Sequence, residues 1–215
     1  MEKLIIEVKE VFGKILETIT EYGKKDLQYL IVVNKLNSDL LKKVRPFVRK
    51  FYGKYKKVPL ILTIEEIKDG LDVFPLEFLN IKLNHNIIYG KDIFESLSFD
   101  KDNIRRELEF EFRSKLINLR QGYLESVSDK ELKIIVDKAI PTLLPILNVL
   151  LYLKNVKIPE SLDNILDKIT KEYKINIDVL KKLNSKEKID LEETVKELII
   201  LLSSLGEILD EVEVN

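Results

Sequence analysis

The chain contains no cysteine and one histidine among its 215 residues. Without cysteine there can be no disulfide and no thiolate-bound metal. A lone histidine, His85, excludes a histidine-rich metal site and any chemistry that needs two imidazoles. Seven glycines and six prolines leave little material for disordered linkers. There is no Walker-type glycine-rich loop and no G-x-S-x-G elbow. Neither charge sign dominates: 36 basic and 37 acidic residues give a net charge of -1. A chain that is basic overall is thereby excluded, whereas a local basic patch is not. Long apolar runs are also missing. Lys3, Glu7, Lys9 and Glu10 interrupt any signal-peptide core. The most apolar window, Ala139 to Leu153, holds Pro141, Pro145 and Asn148 and falls short of the roughly 20 residues of a spanning helix. It reads as a buried helix. A cytoplasmic protein with no membrane partner is expected.

What is present fits a globular protein: 45% hydrophobic and 34% charged residues, in a length that suits one large domain or two small ones. Leu4, Ile5, Val8, Val11, Phe12, Ile15 and Ile19 keep helical spacing and predict one helix over 3–22, closed by Gly23. Leu27 to Val33 reads as a buried strand. Asn37, Ser38 and Asp39 offer N-caps for a helix through Phe51, with Pro46 marking an irregular turn. Val58 to Thr63 is a second strand, and Thr63 with Glu66 forms a capping box. Ile81 to Tyr89 is a third candidate strand. From Asp102 onward the pattern is helical. Leu108, Phe112, Leu116, Leu119 and Tyr123 line one helix, and a second runs over 128–153, bent at its prolines. Pro159 opens a third, a short one lies near 177–184, and Asp190 with Glu193 opens the last, whose inward residues run from Leu191 to Val212. The expected fold is α+β followed by all-α: a small mixed α/β domain over 1–98 and a helical bundle over 99–215.

Three segments carry a family likeness. Asp72-Val73-Phe74-Pro75-Leu76-Glu77-Phe78 with Asn84-His85-Asn86-Ile87-Ile88-Tyr89-Gly90-Lys91-Asp92, together with Pro59-Leu60-Ile61-Leu62-Thr63, resemble uncharacterised two-domain proteins of the nucleotidyltransferase superfamily. The resemblance covers residues 26–125 best. It implies a nucleotidyltransferase-like α/β domain ahead of the bundle. Active members carry a Gly-Ser turn after the first strand, a pair of acids one residue apart on the next, and a third acid on a later strand. Those acids hold the divalent metal that neutralises nucleotide phosphates. Here Asp26 matches the first acid and Gln28 stands in the place of the second. Gly23 has no serine beside it, the helix read over 3–22 leaves hardly any room for the strand before the turn, and Pro59 to Thr63 has no acid. A neutral amide cannot supply the charge a carboxylate gives Mg²⁺. The site reads as degenerate, with no catalytic residue, metal or cofactor assigned. The Arg-to-His ribonuclease motif of some attached bundles is absent, since no histidine follows His85. Asp72 and Glu77 are expected to anchor their loop by capping, and His85, between Asn84 and Asn86, to sit at a turn.

Two basic features remain. Lys42, Lys43, Arg45, Arg49, Lys50, Lys54, Lys56 and Lys57 occur with no acid between residues 40 and 64, interleaved with Phe47, Phe51, Tyr52 and Tyr55. Such a segment suits single-stranded nucleic acid, or it is a solvated helix face with its aromatics buried. Arg106, Arg113 and Arg120, seven residues apart, share one face of a helix. With Asp26 and Gln28 they are candidates for a ligand site between domains, or they pair with acids such as Glu109. The leading reading is an inactive nucleotidyltransferase-like protein acting by binding a small molecule or another protein. The alternatives are an active Mg²⁺-dependent nucleotidyltransferase with a divergent site, and a nucleic-acid-binding protein using residues 42–57. Homodimerisation is left open.

Overall fold

The computed structural model describes residues 2–23, 26–185 and 187–211, so Lys24, Lys25 and Val212 lie outside the described residues. The chain divides into two compact units, residues 1–99 and 100–215.

The first unit is mixed α/β. Helix α1 (Glu2–Phe12) buries Leu4, Val8 and Phe12, one per turn. It does not continue to residue 22. Gly13 takes a left-handed φ of 55° and starts a 3-10 turn, and Leu16–Tyr22 is a strand, β1. The helical spacing of Ile15 and Ile19 misleads here, because Thr18, Ile19 and Thr20 are β-branched and prefer a pleated surface. Strand β2 (Gln28–Val33) pairs antiparallel with β1. Helix α2 (Ser38–Tyr55) then leads to β3 (Leu60–Thr63), which runs parallel to β2. Asn37 caps α2 by accepting from the Leu40 amide at 2.8 Å. Pro46 sits within α2 without dividing it. After β3 come α3 (Ile64–Asp69), α4 (Pro75–Leu83) and β4 (His85–Gly90). The third strand thus begins at His85, and the apolar residues before it belong to α4, where Pro75 fits the first turn because its missing N–H is not needed there. The Thr63–Glu66 capping box is present, with mutual hydrogen bonds of 3.0 and 2.7 Å.

The sheet order is β3-β2-β1-β4, with β4 antiparallel to β1. One face buries Ile19, Tyr29, Ile31 and Val33 against Leu4, Val8 and Phe12 of α1 and Val44, Phe47 and Phe51 of α2. Edge-to-face rings, Phe12 on Phe47 and Tyr29 on Phe51, tie the layer together. Thr18, Thr20, Leu30 and Val32 alternate to the other face and are also buried. Each fully buried aliphatic or aromatic side chain contributes about 1.5–3 kcal/mol. Gly90 has a φ of 87°, and a Cβ there would lie 2.0 Å from the Glu17 carbonyl oxygen. Only glycine lets β4 close on β1 at that point.

The second unit is helical: α5 (Lys101–Glu125), α6 (Asp129–Asp137), α7 (Ala139–Leu153), α8 (Leu162–Tyr173), α9 (Asp178–Ser185) and α10 (Leu191–Glu211). Asp100 caps α5 through the Asn103 amide, Ser161 caps α8 through Asn164, and Asp190 accepts from the Glu193 amide at the start of α10. The stretch expected as one bent helix over 128–153 is two helices that meet at Lys138. It is the one described segment long and apolar enough to cross a membrane, and half of its apolar window is buried inside the structure. Within α7, Leu143, Ile146, Leu147, Val149, Leu150 and Leu151 are all buried. Helix α10 packs along α5, burying Val195, Leu198, Leu202, Leu205 and Leu209, while α5 buries Ile104, Leu108 and Phe112.

Candidate functional site

The turn between β1 and β2 is where the family likeness would place phosphate chemistry. The room judged missing there exists, because β1 is a full strand that ends just before Gly23. Gly23 has a φ of 92° and donates to the Asn84 carbonyl at 2.9 Å. Asp26 follows, just ahead of β2. The Gln28 side-chain amide donates to its carboxylate at 3.2 Å, and Lys57 Nζ lies 2.5 Å from the other oxygen. Lys57 reaches Asp26 because β2 and β3 are parallel with Leu30 opposite Leu60, which brings the residues preceding each strand side by side. Asp26 and Gln28 are therefore joined, as their spacing allows, and a lysine closes the group. No carboxylate lies on β3 (Leu60–Thr63), and Glu66 is spent on the capping box. Among the described residues no three acids, histidines or cysteines gather as a metal ligand set.

Around the same unit the loop anchors differ from expectation. The side chains of Asp72 and Glu77 make no hydrogen bond to another described residue. Asp72 sits in the exposed turn before α4, and Glu77 is spent beside Tyr22 rather than on a backbone amide. Burial, then the nearby Glu77 charge, pushes the Tyr22 phenol up to about 12, and burial raises the Glu77 carboxyl in turn. The anchoring falls to three other residues. Lys82 Nζ donates to the carbonyls of Glu95 and Leu97, at 3.1 and 2.6 Å. His85 lies between the Lys82 carbonyl and the Asp92 carboxylate. Asp92 also accepts from the amides of Phe94 and Glu95. His85 thus holds a loop, and its ring stands 5.1 Å from that of Phe94.

The basic segment divides by direction. Phe47 and Phe51 are buried in the core and Tyr55 is half-buried, so they offer no stacking surface, and Tyr52 alone is exposed. Lys50 pairs with Glu7 at 3.0 Å and Lys57 with Asp26. Lys54 and Lys56 lie over the rings of Tyr55 and Tyr52. Lys42, Lys43, Arg45 and Arg49 are exposed along α2 without an ion-pair partner among the described residues.

In the second unit Arg106, Arg113 and Arg120 share an exposed face of α5. Arg106 donates to Asn103, and Arg113 pairs with Glu109 at 2.8 Å. A hollow of about 530 Å³, which the sequence did not point to, is lined by Asp163, Asp167, Asp178, Lys181 and Lys182. Both of its lysines are already paired. Lys181 binds Asp167 at 2.6 Å, Lys182 binds Glu197 at 3.0 Å, and Asn184 donates to Asp163. Those hydrogen bonds raise both lysine pKa values above the ordinary one. The alternation of acids and lysines at helical spacing in α8 and α9 is the only trace this hollow leaves in the sequence. No protein-family model matches the chain, and no curated protein matches it.

Proposed function

We propose that this chain is a catalytically inactive, nucleotidyltransferase-like protein that acts by binding a partner, in the cytoplasm. The observation that carries the reading is the state of Asp26. Its carboxylate is occupied by a lysine ammonium and a glutamine amide, in the place where a metal-binding pair of acids would stand. An ammonium beside a lone carboxylate repels a divalent cation, and the neutral Gln28 adds no charge to attract one. Support for the ancestry comes from the order of elements: a helix, an antiparallel pair of strands turning at a glycine, a helix, and a parallel third strand. That order accommodates the strand, turn and strand which the family likeness requires.

The test is incubation with each nucleoside triphosphate, Mg²⁺ or Mn²⁺, and candidate acceptors. No metal-dependent pyrophosphate release is expected. Release that Asp26→Asn abolishes would replace this reading with an active, divergent nucleotidyltransferase. A second reading, nucleic-acid binding by α2, is favoured by the exposed Lys42, Lys43, Arg45 and Arg49, which have no ion-pair partner among the described residues. With Phe47 and Phe51 buried it would rest on phosphate contacts. Binding of a labelled single strand should then fall by about 0.7 log units per contact for each tenfold rise in salt.

A further inference from the structure

Helix α5 carries a second stripe besides the one that packs in its unit. Arg106, Phe110, Arg113, Ile117, Arg120 and Leu124 follow one another in alternating steps of four and three, which keeps them on one narrow line along the helix. That line faces roughly away from the buried Ile104, Leu108 and Phe112. Phe110, Ile117 and Leu124 are 67%, 55% and 82% exposed. Single exposed apolar residues need no explanation, but a repeat of seven with an arginine four residues before each one is a pattern of a helix that meets another helix.

We propose that this stripe of α5 docks an acidic amphipathic helix of a partner protein. Charge decides the occupant. A second copy laid parallel and in register would set arginine against arginine. Laid antiparallel, it would set each arginine against an apolar residue of the other copy, which supplies no carboxylate there. A helix with apolar residues over Phe110, Ile117 and Leu124 and carboxylates over the arginines satisfies both requirements, with planar guanidinium–carboxylate pairing. The Arg113–Glu109 pair is an exposed i,i+4 contact, a kind worth little by itself, and the docking requirement falls equally on Arg106 and Arg120. The inference rests on the reading above only in that the chain acts by binding. It uses neither Asp26 nor the family likeness.

The experiment uses the full chain and fluorescence anisotropy. The probe is a labelled three-heptad peptide with leucine at the apolar seam positions and glutamate at the charged ones. The comparison probes are the same peptide with lysine for glutamate, a single-stranded RNA, and anionic phosphatidylserine vesicles. Saturable binding of the glutamate peptide is expected. It should weaken about tenfold or more in the double variant Phe110→Ser, Leu124→Ser. Replacing Arg106, Arg113 and Arg120 by glutamate should reverse the preference toward the lysine peptide. Circular dichroism checks that these surface variants stay folded, as expected of exposed positions. No saturable binding of the glutamate peptide, or binding indifferent to both sets of changes, overturns the proposal. So does binding of RNA or vesicles alone. Sedimentation showing self-association that the Phe110/Leu124 variant abolishes would assign the stripe to a second copy instead. Each of these failures leaves the pyrophosphate assay unaffected, so the two readings fail separately.

Discussion

His85 Nε2 lies 3.0 Å from Asp92 Oδ2, and this contact closes the loop that leaves β4. Burial raises the Asp92 carboxyl, but the hydrogen bonds from His85 and from the Phe94 and Glu95 amides outweigh it and hold the group below its ordinary value. A folded-state pKa that is depressed adds stability above the unfolded value of about 3.9, and that stability is lost as pH falls through the folded value. Asp92→Asn should therefore cost about 1 kcal/mol at neutral pH, a modest figure because the side chain is partly exposed. The difference should close below roughly pH 4. Urea unfolding of both proteins at neutral and acidic pH tests this, and a gap equal at both would contradict it.

Gly90→Ala should be severe. Beyond the left-handed backbone penalty of about 1–3 kcal/mol, the new methyl would collide with the Glu17 carbonyl. The expected outcome is loss of the β1–β4 pairing. Hydrogen exchange of the Thr18 and Thr20 amides should accelerate, and unchanged protection there would refute the role given to this glycine.

Tyr173 donates its hydroxyl to the Leu150 carbonyl at 2.6 Å in the interior of the helical unit. Burial, with the Glu172 charge, pushes its phenol well above the usual value. Tyr173→Phe should destabilise by about 1–2 kcal/mol, since the carbonyl loses a buried donor. Because the phenol is neutral throughout the ordinary range, that loss should be the same at pH 6 and pH 9.

A fragment of residues 100–215 should fold by itself. Its units of α5 with α10 and of α7 with α8 bury their apolar faces on each other. Far-UV circular dichroism should show helix with a cooperative thermal transition. A fragment without such a transition would mean that the α/β unit supplies part of its core.

The helical half was legible in the sequence where a wide apolar stripe coincides with a cap, as at Asp190; helix α8, by contrast, starts after Ser161 and is not opened by Pro159. The expected division after residue 98 and the observed one at Phe99 lie in the same polar stretch. The α/β half was harder to read. Ile15 and Ile19 continue the helical spacing of α1, and only Gly13 and the Thr18-Ile19-Thr20 run disclose the change to a strand. Phe74-Pro75 signals the start of α4, yet the apolar Ile81 to Leu83 reads equally as strand. In the candidate site, Asp26 and Gln28 are neighbours by their spacing. Lys57 joins them through the register of two parallel strands, which periodicity does not encode. The seam on α5 was half visible: the arginines stand out by charge, whereas Phe110, Ile117 and Leu124 gain meaning only once the other side of the helix is known to be buried.

The strand order also sets a schedule for synthesis. Thr18 bonds to Tyr89, 71 residues later, so β1 waits for its outer neighbour while those residues are made. At about 5–20 residues per second on the ribosome, the wait is roughly 4–14 s. Until β3 is made the β1–β2 hairpin has two open edges, and from then until β4 arrives the β1 edge stays open to other nascent chains. That edge belongs to a strand carrying Glu17, Thr18, Thr20 and Glu21. Glu17 and Glu21 put charges of one sign on that edge, and like charges disfavour pairing with an identical edge.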